Sequence, residues 1–212
     1  MTRRKFAIFG SGGFGRELIR PAQQMLAGRQ GSSDWELVFV SDGQADEVLG
    51  IAQLAPDALG EDDEVIIAVG DSRTRKAISE RLRVPSGVLK APTAIVGPDV
   101  EYGEGAVFCD FSIVTASARI GRHFQCNIYS YVAHDCIIGD YVTFAPKVSC
   151  NGNIRIGNGA YIGTGAVLKQ GTPSAPLIIG EGAVVGMGAV VTKNVPAGAI
   201  VVGNPAKPLA AR

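Results

Sequence analysis

Two histidines occur in the chain, and one of them is followed directly by a carboxylate: His134-Asp135. A free imidazole titrates near pH 6.5, so it is mostly neutral at pH 7 and can accept a proton, and an adjacent carboxylate orients it and raises its basicity. Eighteen residues further on stands Gly152. If positions 18 apart stack, its backbone N–H lies over the imidazole with no side chain in the way and can stabilise an oxyanion. Asn127, one corner earlier, could turn its amide toward the same place, although an Asn at a turn often serves only the backbone. His123, after Arg122 in an analogous turn, reads as a surface residue.

A second cluster lies near the N-terminus. Gly10, Gly12 and Gly15 satisfy G-x-G-x-x-G between an apolar run at 6–9 and a helical spacing of Leu18, Ile19, Ala22 and Met25. Strand, glycine turn and helix together bring backbone N–H groups against a phosphate. In such a sheet ligands bind beyond the carboxyl ends of the strands, which here are 10–15, Ser41-Asp42 and Gly70-Asp71. Asp42 could hold a ribose or a base edge, or be a solvated turn residue.

The elements that must position these groups follow from spacing. Val96, Tyr102, Phe108, Val114, Ile120, Cys126 and so on through Leu168 fall six apart without a break; a loop then inserts five residues, and the series resumes at Ile179, Val185 and Val191. A six-residue period is not helical. It reads as a parallel β-helix in which three short strands and three turns close a triangular coil. Val114, Val132, Cys150 and Leu168 should stack as an inward column, one coil apart. Gly or Asn often follows the inward residue, which suggests a sharp turn, including positive φ. Outward residues such as Phe111, Ile113, Tyr129, Tyr131 and Tyr161 form a surface that a partner would cover.

Residues 1–91 have another grammar. Strands are expected at 6–9, 35–40, 64–69 and near 84–89, with helices at 16–26 and 72–82. This is a small Rossmann-like α/β unit with a parallel sheet, of half the size of a full dinucleotide fold. Residues 92–212 form the solenoid.

Composition narrows the function. With 212 residues, 46% hydrophobic content and zero net charge, the chain has no basic excess for nucleic acid. No apolar stretch approaches the roughly 20 residues of a membrane span, and the start lacks a signal-peptide core, so a cytoplasmic protein without membrane insertion is expected. Cys109, Cys126, Cys136 and Cys150 have no CxxC spacing and fall mostly at packing positions. No metal site is expected; a zinc site of the three-histidine kind is excluded by the count of two.

On Ile8-Phe-Gly-Ser-Gly-Gly-Phe-Gly15, His134-Asp-Cys-Ile-Ile-Gly139, Asn151-Gly-Asn-Ile-Arg-Ile-Gly157 and Val202-Gly-Asn-Pro-Ala-Lys-Pro208, essentially the whole chain resembles the two-domain left-handed β-helix acetyltransferases of bacterial surface sugars. That group includes N-acetyltransferases of nucleotide-linked amino sugars, of the bacillosamine and perosamine types, and sialic acid O-acetyltransferases. The resemblance implies that His134 is the general base, that Asp135 supports it and that Gly152 N–H holds the tetrahedral intermediate. It implies acetyl-CoA between subunits of a homotrimer, near Thr143, Gly152, Thr164 and Met187. The nucleotide sugar would sit on Gly12, Gly13 and Phe14, beside Ser41, Asp42 and Gly70. Some relatives carry histidine where this chain has Phe14. The first expectation is direct transfer to a C4 amine; a sialic acid hydroxyl is the alternative, and a non-catalytic sugar-binding scaffold the reading from another class.

Overall fold

The computed structural model describes residues 3–43 and 47–209. The chain begins with strand β1 (Arg4–Phe9), whose last four residues are buried, and after the glycine turn enters two helices, α1 (Gly13–Glu17) and α2 (Ile19–Ala27). One helix was expected over 16–26; the break at Leu18 divides it. β2 (Trp35–Val40) follows, then a short antiparallel pair, β3 (Glu47–Val48) and β4 (Ile51–Leu54), then β5 (Glu64–Ile67) and helix α3 (Ser72–Arg81). The sheet order is β3-β4-β2-β1-β5, parallel from β4 to β5. The β3–β4 pair escapes the sequence pattern because it is short and half-exposed.

The strand expected near 84–89 is divided between the two layers. Ser86 bridges to Val65 at the edge of the N-terminal sheet, whereas β6 (Leu89–Lys90) pairs with Val107–Phe108 in the solenoid.

From β6 onward the chain winds as a left-handed parallel β-helix with three flat faces. The first face carries strands beginning at Ile95, Ile113, Tyr131, Ser149, Val167 and Val190; the second those at Glu101, Arg119, Ile137, Ile154 and Leu177; the third runs from β6 through Val107, Gln125, Thr143, Tyr161, Val184 and Ile200. The expected column is present: Val114 pairs with Val132, Val132 with Cys150 and Cys150 with Leu168. Beside it, Phe108, Phe124 and Phe144 interlock edge to face. Such a column buries every inward side chain against like neighbours above and below, at roughly 25 cal/mol per Å² of apolar surface. All four cysteines are buried and unpaired.

The corners correct one expectation. Positive φ falls three residues after the inward residue, at Asp99, Phe111, His123, Tyr129, Asp135, Tyr141 and their equivalents. The glycine directly after the inward residue has another cause: a Cβ on Gly97 would lie 1.7 Å from the carbonyl oxygen of Thr115, and one on Gly121 2.6 Å from the N of Asp140. Close stacking of coils, not backbone handedness, selects Gly there. Aromatic residues held at the costly left-handed position gain by stacking on one another, Phe111 on Tyr129 at 5.2 Å and His123 on Tyr141 at 5.0 Å between ring centres.

The N-terminal unit packs on the third face, where Leu89, Val107 and Cys109 join the cluster of Phe6, Ile8 and Trp35. No helix among the described residues is long and apolar enough to cross a membrane.

Candidate active site

His134 stands on the corner between the first and second faces. Its side chain is half-exposed, and Nδ1 lies 2.7 Å from Asp135 Oδ2. Asp135 is held at φ 59°, a left-handed setting that a short carboxylate side chain tolerates and that turns its oxygen back onto the ring. With Nδ1–H given to the carboxylate, Nε2 keeps a free lone pair for a proton.

Gly152 lies directly over this ring. A Cβ there would come 2.5 Å from both Cε1 and Nε2, so any side chain at 152 would displace the ring. The coils are locked by Asn153 N–H donating to the His134 carbonyl at 3.0 Å and Gly171 N–H to the Gly152 carbonyl at 3.0 Å. Asn151, which the sequence reading passed over, is fixed beside them: Tyr131 Oη donates to its Oδ1 at 2.8 Å and its Nδ2 donates to the Leu168 carbonyl at 2.7 Å. Its place directly after inward Cys150 was the available signal.

Asn127 is not brought to this corner. Its Nδ2 donates to the Phe144 carbonyl at 2.9 Å on the corner between the third and first faces, so within one chain its amide serves the backbone. Thr164 and Met187 lie on that same corner, stacked by Gly188 N–H donating to the Thr164 carbonyl at 2.8 Å; Met187 is 82% exposed. Thr143 does not continue their series. It is buried in the seam under the N-terminal unit, its hydroxyl donating to the Gly70 carbonyl at 3.0 Å and accepting from Arg75 Nη2 at 2.9 Å, with nothing turned to solvent.

His123 is likewise not a surface residue. It is 2% exposed, and its Nδ1 is buried without a partner among the described residues. Burial, with the Arg75 and Arg122 charges nearby, pushes its imidazole down to about 4, so it is neutral and cannot serve as a base from this position. Its ring lies between Gly105, where a Cβ would fall 2.2 Å from Nδ1, and the Tyr141 ring at 5.0 Å, and Arg75 of α3, 48 residues away in sequence, donates to its backbone carbonyl.

In the glycine turn at 10–15 two of the four glycines have structural duties and two do not. Gly10 sits at φ 101°, and a Cβ on Gly15 would fall 1.9 Å from the Gly10 carbonyl oxygen. Gly12 and Gly13 face open space, so a Cβ would meet nothing there. Phe14 packs partly into the core. Ser41 Oγ accepts from Gly43 N–H at 2.9 Å, and Asp42 pairs with Arg81. Gly70 is exposed, while its carbonyl accepts from Arg75 Nη1 and the Thr143 hydroxyl.

A cleft of about 860 Å³ opens between the first turn of α3, at Ser72, Arg73 and Lys76, and the corner of Arg122, Tyr141 and Asn158. It adjoins Gly70 but does not reach His134.

The chain has relatives among known proteins. Residues 5–82 match the PglD N-terminal domain. The chain is 45% identical over 181 residues to GDP-perosamine N-acetyltransferase of Escherichia coli O157:H7, covering 82% of this chain and 81% of that protein. Among solved structures it resembles WeeI from Acinetobacter baumannii AYE (TM-score 0.89, 44% identity, 97% of this chain and 100% of that one). It also resembles the acetyltransferase domain of PglB from Neisseria gonorrhoeae FA1090 in complex with acetyl coenzyme A (TM-score 0.84, 32% identity, 98% and 100%). With a Rossmann-like unit laid on a left-handed β-helix and relatives of this identity over most of its length, the chain belongs to the hexapeptide-repeat sugar acetyltransferase family.

Proposed function

We propose that the protein transfers the acetyl group of acetyl-CoA to the amino group, at C4, of a nucleotide-linked amino-deoxysugar, with His134 as general base. The observation that carries the reading is the imidazole fixed by Asp135 at Nδ1 and covered by Gly152, which leaves Nε2 as the acceptor of a proton.

As the amine nitrogen attacks the thioester carbonyl, a C–N bond forms, Nε2 takes a proton from nitrogen, and the carbonyl electrons move to oxygen. The Gly152 N–H, which has no hydrogen-bond partner among the described residues, is available to the resulting oxyanion. Collapse breaks the C–S bond, and the imidazolium returns the proton to the departing sulfur. No acyl-enzyme is needed. The open turn at Gly12 and Gly13, with Phe14, Ser41, Asp42 and Gly70 around it, offers N–H groups to the nucleotide phosphates.

A homotrimer completes the site. The first face carries an outward stripe of Ile95, Ile113, Tyr131 and Val167, of which Ile95 is 58% exposed, a surface that favours covering. Its two edges differ: one is the His134 corner, the other the corner of Asn127, Thr164 and Met187. Threefold packing joins unlike edges of neighbouring copies. It would therefore lay acetyl-CoA along Thr164 and Met187 of one copy with its thioester at His134 and Gly152 of the next. The four unpaired thiols suit a cytoplasmic protein.

The test is acetyl-CoA-dependent thiol release with GDP-perosamine, other nucleotide-linked 4-amino sugars and free sialic acid. Turnover of a nucleotide amino sugar is expected. Turnover of sialic acid alone would overturn the acceptor assignment.

A further inference from the structure

Arg75 is the largest fully buried side chain among the described residues, 1% exposed, and it has no carboxylate in contact. Its five N–H groups are nonetheless all engaged. Nε donates to the His123 carbonyl at 3.1 Å; Nη1 donates to the carbonyls of Val69 at 2.6 Å and Gly70 at 3.2 Å and to Gln125 Oε1 at 3.1 Å; Nη2 donates to the Tyr141 carbonyl at 2.6 Å and Thr143 Oγ1 at 2.9 Å. Two neighbours close the network: Gln125 Nε2 donates to the carbonyls of Ile67 and Val69, and the Thr143 hydroxyl to that of Gly70. Desolvation lowers the guanidinium to about 10, which still leaves it charged at neutral pH.

A buried cation answered only by neutral oxygens, of carbonyls, an amide and a hydroxyl, is a poor means of adding stability, since apolar side chains of the same volume serve as well or better. What a planar fork supplies is direction. Here it joins three pieces of chain that no apolar contact would hold in register: the carboxyl end of β5 at Val69-Gly70, the coil at His123 to Gln125, and the coil above at Tyr141 to Thr143. Gly70 belongs to the proposed nucleotide-sugar site, and the two coils belong to the rigid solenoid that carries His134.

We propose that Arg75 is a positioning residue for acetyl transfer, fixing the Val69-Gly70 edge of the nucleotide-sugar site relative to the β-helix so that the sugar amine is presented to the catalytic corner. This rests on the functional reading above. A misplacement on the order of 1 Å at the reacting atoms can cost about a hundredfold in rate.

The experiment compares wild type, Arg75→Gln and Arg75→Lys in steady-state kinetics with GDP-perosamine and acetyl-CoA, and in hydrogen–deuterium exchange at 68–72 and 131–138. For Arg75→Gln the expected result is a fall of at least tenfold in kcat with GDP-perosamine, an acetyl-CoA KM within twofold of wild type, and faster exchange at 68–72 but not at 131–138. Lys, which keeps the charge and three donors, should recover part of the rate. If Arg75→Gln fails to fold, Thr143→Val, which removes one strut, should show the same pattern at smaller amplitude. Unchanged kcat, unchanged exchange at 68–72, or losses in both substrates that merely follow the folded fraction would overturn the proposal. If wild type turns over no nucleotide amino sugar, the functional reading fails, and the exchange data alone decide whether Arg75 holds the edge.

Discussion

His134 and His123 lie eleven positions apart on the same solenoid, each with a glycine against its ring, and differ in exposure and in partner. His134 falls two residues after an inward valine, is half-exposed, and has a carboxylate at 2.7 Å and a glycine over its ring. His123 falls three residues after an inward isoleucine, in the left-handed position, and is buried between Gly105 of one coil and the ring of Tyr141 in another, with Arg75 of the N-terminal unit donating to its carbonyl. A shift of one position in the repeat, together with enclosure between coils, separates a half-exposed ring beside a carboxylate from a buried one held neutral. Histidine content alone says little; phase and coverage decide what the ring can do.

Replacing Gly152 by Ala should sharpen the contrast most. The added Cβ would strike the imidazole and disturb the donor N–H, and a loss of about 10² to 10³ in kcat is expected, with little change in the melting temperature. Next is Asp135→Asn, which offers an amide where a carboxylate fixed the tautomer. Because the pair is solvent-exposed, a loss of about tenfold to a hundredfold is expected, smaller than at a buried triad, and kinetics with saturating acetyl-CoA would show it.

Acid should act on the other histidine. His123 binds its proton far less readily in the folded chain than in the unfolded one, where it titrates near 6.5. The unfolded state therefore holds more protons between pH 6.5 and about 4, so the associated stability is complete above 6.5 and declines as pH falls toward 4. Arg75 and Arg122 oppose protonation there and Asp140 favours it. The melting temperature of wild type should drop over this range more steeply than that of His123→Phe, which keeps the stack on Tyr141 and has nothing to titrate. Parallel curves would remove His123 from the account.

The same contrast explains how much the sequence revealed. The six-residue period names the inward residues because burial in the prism repeats with the coil, and the column through Val114, Val132 and Cys150 follows directly. The relation of His134 to Gly152 is legible for the same reason, being a fixed offset of one coil. The seam is not legible. Nothing local marks Arg75 as buried or Thr143 as its partner, for their contact spans 68 positions and depends on how one unit lies on the other. The glycine at each corner misled because the residue serves two physical ends, positive φ and close approach, and here it serves the second.

The most direct measurement is kcat for acetyl transfer in His134→Ala and His123→Phe, side by side with their melting temperatures. The account predicts a loss of about 10² to 10⁴ for His134→Ala with the fold intact, as for removal of a general base. It predicts activity within threefold of wild type for His123→Phe. Substantial activity in His134→Ala, or equal losses in both variants, would contradict it.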